Sequence, residues 1–189
     1  MTAPRLIYVG GARGAGKSVA AARLGARLGR AVVRIDRYYV ACLRAARDPA
    51  VALAAAEEIA RRLVDDLVAA RASAVIEGAW LRPDEAQALR AAHGVAPVFL
   101  GYPDACAATR LAAFRAGVDV ALHGRLHDLA DRPDAEALAL IEAEMAQGRW
   151  QRDACAQLGL PFVDTTDFAA AEAVLDALFP AGADPGQRG

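Results

Sequence analysis

The apolar run Leu6-Ile7-Tyr8-Val9 ends in Gly10 and Gly11, and an alanine-rich segment with Val19, Leu24 and Leu28 at helical spacing begins near Lys17. Between them lie Gly11, Ala12, Arg13, Gly14, Ala15, Gly16, Lys17 and Ser18, a full match to the spacing G-x-x-x-x-G-K-[ST]. A buried strand, a glycine-rich turn and a helix in that order leave this chain few folds to choose from. The glycines let the backbone turn its N–H groups inward, and the helix adds the partial positive charge of its N-terminus. Such a cradle is expected to hold a chain of phosphates, with Lys17 bridging the outer two and the Ser18 hydroxyl binding Mg²⁺.

Lys17 is the only lysine, so 21 of the 22 Lys plus Arg residues are arginine. Arginine serves well at most surface positions. A compact ammonium on a flexible stem fits between two phosphates where a planar guanidinium is too bulky.

The rest of the chain alternates strands and helices. Ala31 to Ile35, Ala74 to Ile76, Val95 to Leu100 and Leu160 to Asp164 read as further strands. Helices are expected over Lys17 to Leu28 (closed by Gly29), residues 50–70, from Pro83, Asp104 to Arg115, Asp134 to Leu158 and Phe168 to Leu178. In the second of these, Ile59, Leu63 and Leu67 repeat every four residues and mark the apolar stripe. The alternation predicts right-handed crossovers and a parallel sheet covered on both faces, an α/β three-layer sandwich.

At 189 residues and 56% hydrophobic content, inflated by alanine, the chain suits one helix-rich domain over 1–180, with a flexible Gly/Pro-rich tail at 181–189. A net charge of −1 gives the chain as a whole no drive towards nucleic acid or an anionic membrane. No apolar stretch reaches membrane-spanning length, and Met1 to Arg5 lacks the apolar region of a signal peptide. Cys42, Cys106 and Cys155 are odd in number and far apart, as expected of reduced thiols in the cytoplasm. Oligomeric state is not readable from these features.

Asp36 and Glu77 each follow a predicted strand, at the sheet edge where open α/β folds bind ligands. A carboxylate there can hold a magnesium's ligands or take the proton of an attacking hydroxyl. It can equally cap the helix or turn that follows.

Gly11 to Ser18, then Asp36-Arg37-Tyr38-Tyr39, then Val75-Ile76-Glu77-Gly78, together resemble the P-loop kinases of the nucleoside and nucleotide kinase group, within the AAA-type P-loop NTPase superfamily. The Asp-x-x-Tyr and the apolar run ending in Glu-Gly resemble the uridine kinase and phosphoribulokinase branch, the latter also 2-phosphoglycerate kinase. The resemblance implies a five-stranded parallel sheet, ATP and Mg²⁺ as donor pair, and a small-molecule acceptor. By the same resemblance Asp36 activates an acceptor hydroxyl, and a lid-like segment at about 104–133 carries arginines that neutralise the transferring phosphoryl. Arg110 and Arg115 stand where members of the group carry them, and Arg125 and Arg132 follow. In a chain this rich in arginine, a solvated surface charge is the competing role for each. Family position also puts the nucleotide base near Thr165 and Thr166, though Ser and Thr are common turn residues.

Tyr38, Tyr39, Trp80 and Arg82 follow the two catalytic strands and can line an acceptor pocket or simply pack. His123 and His127, with Asp128 and Asp131, lack the third spaced ligand of a metal site. Three functions stay open on the residues alone. The first is a kinase for an acceptor hydroxyl, with Lys17, Asp36, Arg110 and Arg115 catalytic and Ser18 and Glu77 on the metal. The second is a nucleotide kinase whose phosphate acceptor meets Arg37, Arg44 and Arg47. The third is a P-loop nucleotide binder without turnover.

Overall fold

The computed structural model describes residues 4–116 and 132–181. Leu6–Gly11 (β1) is buried at every residue, so it needs strand neighbours on both sides and cover on both faces. It pairs in parallel with Ala74–Glu77 (β3), Val9 opposite Glu77, and with Ala96–Gly101 (β4), Gly11 opposite Leu100. Ala31–Arg34 (β2) lies outside β3, with Arg34 opposite Glu77, and Phe162–Asp164 (β5) lies outside β4. The sheet order is β2-β3-β1-β4-β5, every pairing parallel, so all five strands end on one edge.

The helices are α1 (Lys17–Leu28), α2 (Asp36–Ala46), α3 (Pro49–Ala69), α4 (Pro83–His93), α5 (Ala107–Arg115), α6 (Asp134–Leu158) and α7 (Phe168–Leu178). Alternation along β1 divides the core. Ile7 and Val9 face Ala20, Ala21 and Leu24 of α1, Ile141 of α6 and Leu175 of α7. Leu6 and Tyr8 face Ala60 and Val64 of α3 and Ala86 of α4. The molecule is the three-layer α/β sandwich with a five-stranded parallel sheet that the alternation predicts.

Two elements depart from expectation. The segment after Asp36 is helical: α2 packs along α3 yet buries no residue, so it carries no core-facing stripe that periodicity can detect. In α3 the buried stripe is Ala52, Ala56, Ala60 and Val64, one position round from Ile59, Leu63 and Leu67. Small alanines sit nearest the sheet and the larger side chains flank them. The expected lid falls partly on α5; its residues Asp119, His123, Arg125, His127, Asp128 and Asp131, like the tail from 182, lie outside the described residues. Among the described residues, no helix is long and apolar enough to cross a membrane.

Candidate active site

The glycine-rich turn between β1 and α1 is built as the spacing demands. Gly11, Gly14 and Gly16 have φ of 126°, 74° and 76°, conformations that side chains rarely tolerate. Space enforces the same choice. A Cβ on Gly14 would strike the Phe114 ring, one on Gly16 the Phe168 ring, and one on Gly11 the backbone of Leu100. Ala12 and Ala15 are buried, and Arg13 stands exposed at the apex. Lys17 is buried, its Nζ donating to the Ala12 carbonyl at 3.0 Å, so the ammonium lies folded back across its own loop.

Ser18, in the first turn of α1, donates from Oγ to Glu77 Oε1 at 2.9 Å. Glu77 is the last residue of β3 and only 2% exposed. Its burial pushes the carboxyl above the ordinary carboxylate range and the charge of Asp36 adds to the push, while the Ser18 hydrogen bond, Lys17 and Arg34 pull it back. Its second oxygen, Oε2, is buried without a hydrogen-bond partner. A hydroxyl and an orphaned carboxylate oxygen beside a phosphate cradle are hard oxygen donors of the kind Mg²⁺ takes, and they fit that ion. Among the described residues no cluster of three or more His, Cys, Asp or Glu could hold a metal unaided. A magnesium held by one carboxylate, one hydroxyl and substrate phosphates needs none.

Asp36 opens α2 two residues beyond the Arg34–Glu77 pairing, on the same edge as the loop. Its Oδ1 accepts from the Ala79 N–H at 3.2 Å, which ties α2 to the turn after β3. The turn-capping role weighed from sequence is thus realised, on a neighbouring turn instead of its own helix. Tyr8 holds that turn from beneath: its hydroxyl donates to the Gly78 carbonyl at 2.7 Å and accepts from the Leu81 N–H at 3.1 Å. Tyr8 was not among the expected site residues. Its signal was a hydroxyl inside an otherwise apolar strand, since a buried Tyr O–H usually finds a partner. Tyr39 and Trp80 meet beside Asp36 with ring centroids 5.3 Å apart, bringing together two of the residues expected near an acceptor. Arg82 lies instead over Trp150, 5.6 Å from its ring centroid.

The two lid arginines separate. Arg110 turns back onto the loop, donating to the Gly14 carbonyl at 2.6 Å, with its guanidinium 4.3 Å from the Tyr102 ring centroid. Arg115 pairs with Asp134 at 2.8 Å and donates to the Arg132 carbonyl, so it joins α5 to the start of α6. Thr165 is fully buried, and its N–H and hydroxyl both donate to the Gly101 carbonyl, at 2.7 and 3.1 Å. That hydroxyl is thus engaged at the end of the sheet, and Thr166 beside it is exposed.

The family of AAA domains designated AAA_33 matches residues 6–119, more than half of the 189-residue chain. The chain belongs to this family. No curated protein matches the sequence. Among solved structures, this AAA_33 domain is similar to shikimate kinase from Bacteroides thetaiotaomicron, with TM-score 0.60 and 16% identity over 92% of this chain and 97% of that one. It is also similar to shikimate kinase from Acinetobacter baumannii in complex with shikimate, with TM-score 0.54 and 14% identity over 92% of each chain. A gluconokinase from Sinorhizobium meliloti matches with TM-score 0.50 and 19% identity over 95% of each. At such identities the likeness establishes the P-loop NTPase fold of this AAA_33 domain.

Proposed function

We propose that this AAA_33 domain is a kinase that transfers the γ-phosphoryl of ATP to a hydroxyl of a small-molecule acceptor. The observation that carries the reading is the juxtaposition of Ser18, Glu77 and Asp36 on one sheet edge beside the glycine-rich loop. A domain that only binds a triphosphate has use for the first two. The third supplies what a transfer reaction adds, a base on the acceptor side. The names of the matched structures, shikimate kinase and gluconokinase, point the same way.

In this reading the loop backbone and Lys17 hold the phosphates, Lys17 leaving the Ala12 carbonyl to do so. Ser18 and Glu77 hold Mg²⁺, which offsets charge on the β and γ phosphates when bound. Asp36 accepts the acceptor's hydroxyl proton as that oxygen bonds to the γ-phosphorus and the bond to the β–γ bridging oxygen breaks, releasing ADP. Arg110 and Arg115 offset the charge of the transferring group. The nearer likeness to the uridine kinase branch rests on Asp36, Tyr39, Glu77 and Gly78.

A second reading, a nucleotide kinase with a phosphate acceptor, is favoured by α2 itself. Arg37 and Arg44 are exposed seven residues apart on one side of the helix, and Arg47, exposed too, follows at its left-handed C-cap. Asp36 would then be dispensable as a base. The deciding experiment is a coupled ADP-release screen over sugars, nucleosides, antibiotics and phosphorylated metabolites. Acceptor-dependent release that disappears in Lys17→Ala supports the kinase, and its collapse in Asp36→Asn supports the hydroxyl acceptor. Full activity in Asp36→Asn selects the phosphate acceptor. ATP binding without acceptor-dependent release across the panel would leave a binder without turnover.

A further inference from the structure

The core-facing stripe of α6 runs through Ala137, Ile141, Gly148, Gln151 and Cys155. Glu144 falls on the same stripe, three residues after Ile141 and four before Gly148. Glu144 is half-buried there. Its partner is the phosphate loop: Glu144 Oε2 accepts from the Arg13 N–H at 2.8 Å. Four residues further on, Gly148 lies beside the backbone of Tyr102 and Pro103 beyond the end of β4, with room there for a Cβ.

The other side of Arg13 is held as well. The hydroxyl of Tyr102, a residue 1% exposed, donates to the Arg13 carbonyl at 2.8 Å. Burial, with Glu144 adding to it, pushes the Tyr102 phenol up to about 12, so it stays protonated and able to donate at neutral pH. Between Arg13, Tyr102, Leu140, Ile141 and Glu144 only about 10 Å³ of space remains. Both backbone groups of one apical loop residue are thus fixed by side chains from two separate elements, and Arg110 fixes the next carbonyl.

We propose that Glu144 and Tyr102 are positioning residues that hold the apex of the phosphate loop in its binding shape, so that nucleotide affinity depends on α6. The inference rests on the nucleotide-binding part of the kinase reading. Its physical basis is preorganisation. A loop with glycines at 11, 14 and 16 has unusual freedom to lose on binding, and contacts already made in the free protein remove part of that cost.

The test is calorimetric titration of the purified full chain with ATP and Mg²⁺, comparing wild type, Glu144→Ala, Tyr102→Phe, the double variant, Glu144→Gln and Lys17→Ala. Each single truncation is expected to weaken ATP binding about ten-fold, the worth of one hydrogen bond to an ionised or buried group. The double variant should lose less than the product of the two, because both side chains hold one residue. Glu144→Gln keeps an oxygen that can accept the Arg13 N–H and should recover most of the loss, a rescue that mere packing at this position does not predict. Unchanged affinity in both single variants overturns the proposal. Tighter binding in Glu144→Ala overturns it too, since Glu144 would then be an anion that competes with phosphate for the loop. A wild type that fails to bind ATP, or a Lys17→Ala variant that binds as well as wild type, defeats the kinase reading and this proposal together. Normal binding lost in Lys17→Ala but kept in the Glu144 and Tyr102 variants defeats this proposal alone.

Discussion

Ser18 Oγ donates to Glu77 Oε1 across 2.9 Å, joining the first turn of α1 to the last residue of β3. The bond satisfies one oxygen of a buried carboxylate and leaves the other, Oε2, with none. A buried charge with half its hydrogen bonding missing works against folding unless something else meets it.

That cost has a measurable pH dependence. Glu77 titrates above its ordinary 4.5 in the folded protein, mainly through burial, so its contribution is most favourable below that value. The contribution is lost as pH rises through the folded value. Glu77→Gln is therefore expected to melt higher than wild type at about pH 7.5, by about 2–4 °C if the relief is about 1 kcal/mol. The gap should narrow as the pH falls towards about 4, below the ordinary value. Thermal melts of ligand-free protein at the two pH values check this, and an equal gap at both would refute it.

Two of the loop glycines predict a ranking. At Gly11 the obstacle to a Cβ is the Leu100 backbone in the middle of the sheet, whereas at Gly16 it is the Phe168 ring. Gly11→Ala should cost about 2–4 kcal/mol, from backbone strain and overpacking combined. Gly16→Ala should cost less, and Phe168→Leu should recover part of its loss. Urea unfolding of the three variants gives the order; a Gly16→Ala cost above that of Gly11→Ala contradicts it.

The arginines of α5 should fail in different ways. Arg110 grips the Gly14 carbonyl besides serving the transferring group, so Arg110→Met should lower kcat and also weaken ATP binding, by about ten-fold for one charged hydrogen bond. Arg115 is held by Asp134, away from the loop carbonyls. Arg115→Met is expected to lower kcat with little change in the KM for ATP. Steady-state kinetics with the acceptor in hand separates the two, and matching profiles would show that the arginines act together.

Thiol chemistry offers a check on the fold around β4 and α6. Cys106 is exposed before α5, and the Thr109 hydroxyl, with the Thr109 and Ala108 N–H groups, lowers its thiol below the ordinary value. Cys155 is buried against the sheet, which pushes its thiol up to about 12. At neutral pH a thiol reagent should label Cys106 first and Cys155 only after unfolding. Peptide mapping after brief labelling reads the order, and early modification of Cys155 would contradict its burial.

The parts of this protein legible in its sequence are those fixed by short-range rules. Gly11 to Ser18 form the loop because local φ and the lysine stem demand those residues. Gly29 closes α1 with φ 64° for the same reason. Glu77 could be placed because β3 ends there, and its meeting with Ser18 follows from the loop lying on the same edge. What escaped depends on contacts distant in sequence. The helix α2 has no buried stripe to betray it, and it packs chiefly along α3. The Thr165 hydroxyl turns to Gly101 through a pairing of β4 with β5 that no local pattern reports. Glu144 sits 131 residues from its partner Arg13, and only the path of α6 brings them together.

Lys17 carries the protein's single ε-ammonium, and it rests on the Ala12 carbonyl within the site. One such group means one signal. In a protein labelled with ¹⁵N only at lysine side chains, a single resonance reports from inside the loop with no background to subtract. Acylation of side-chain amines becomes a footprint of this one position, and bound nucleotide would protect it. The arginine-rich composition has left the protein with a built-in spectroscopic probe at its phosphate site.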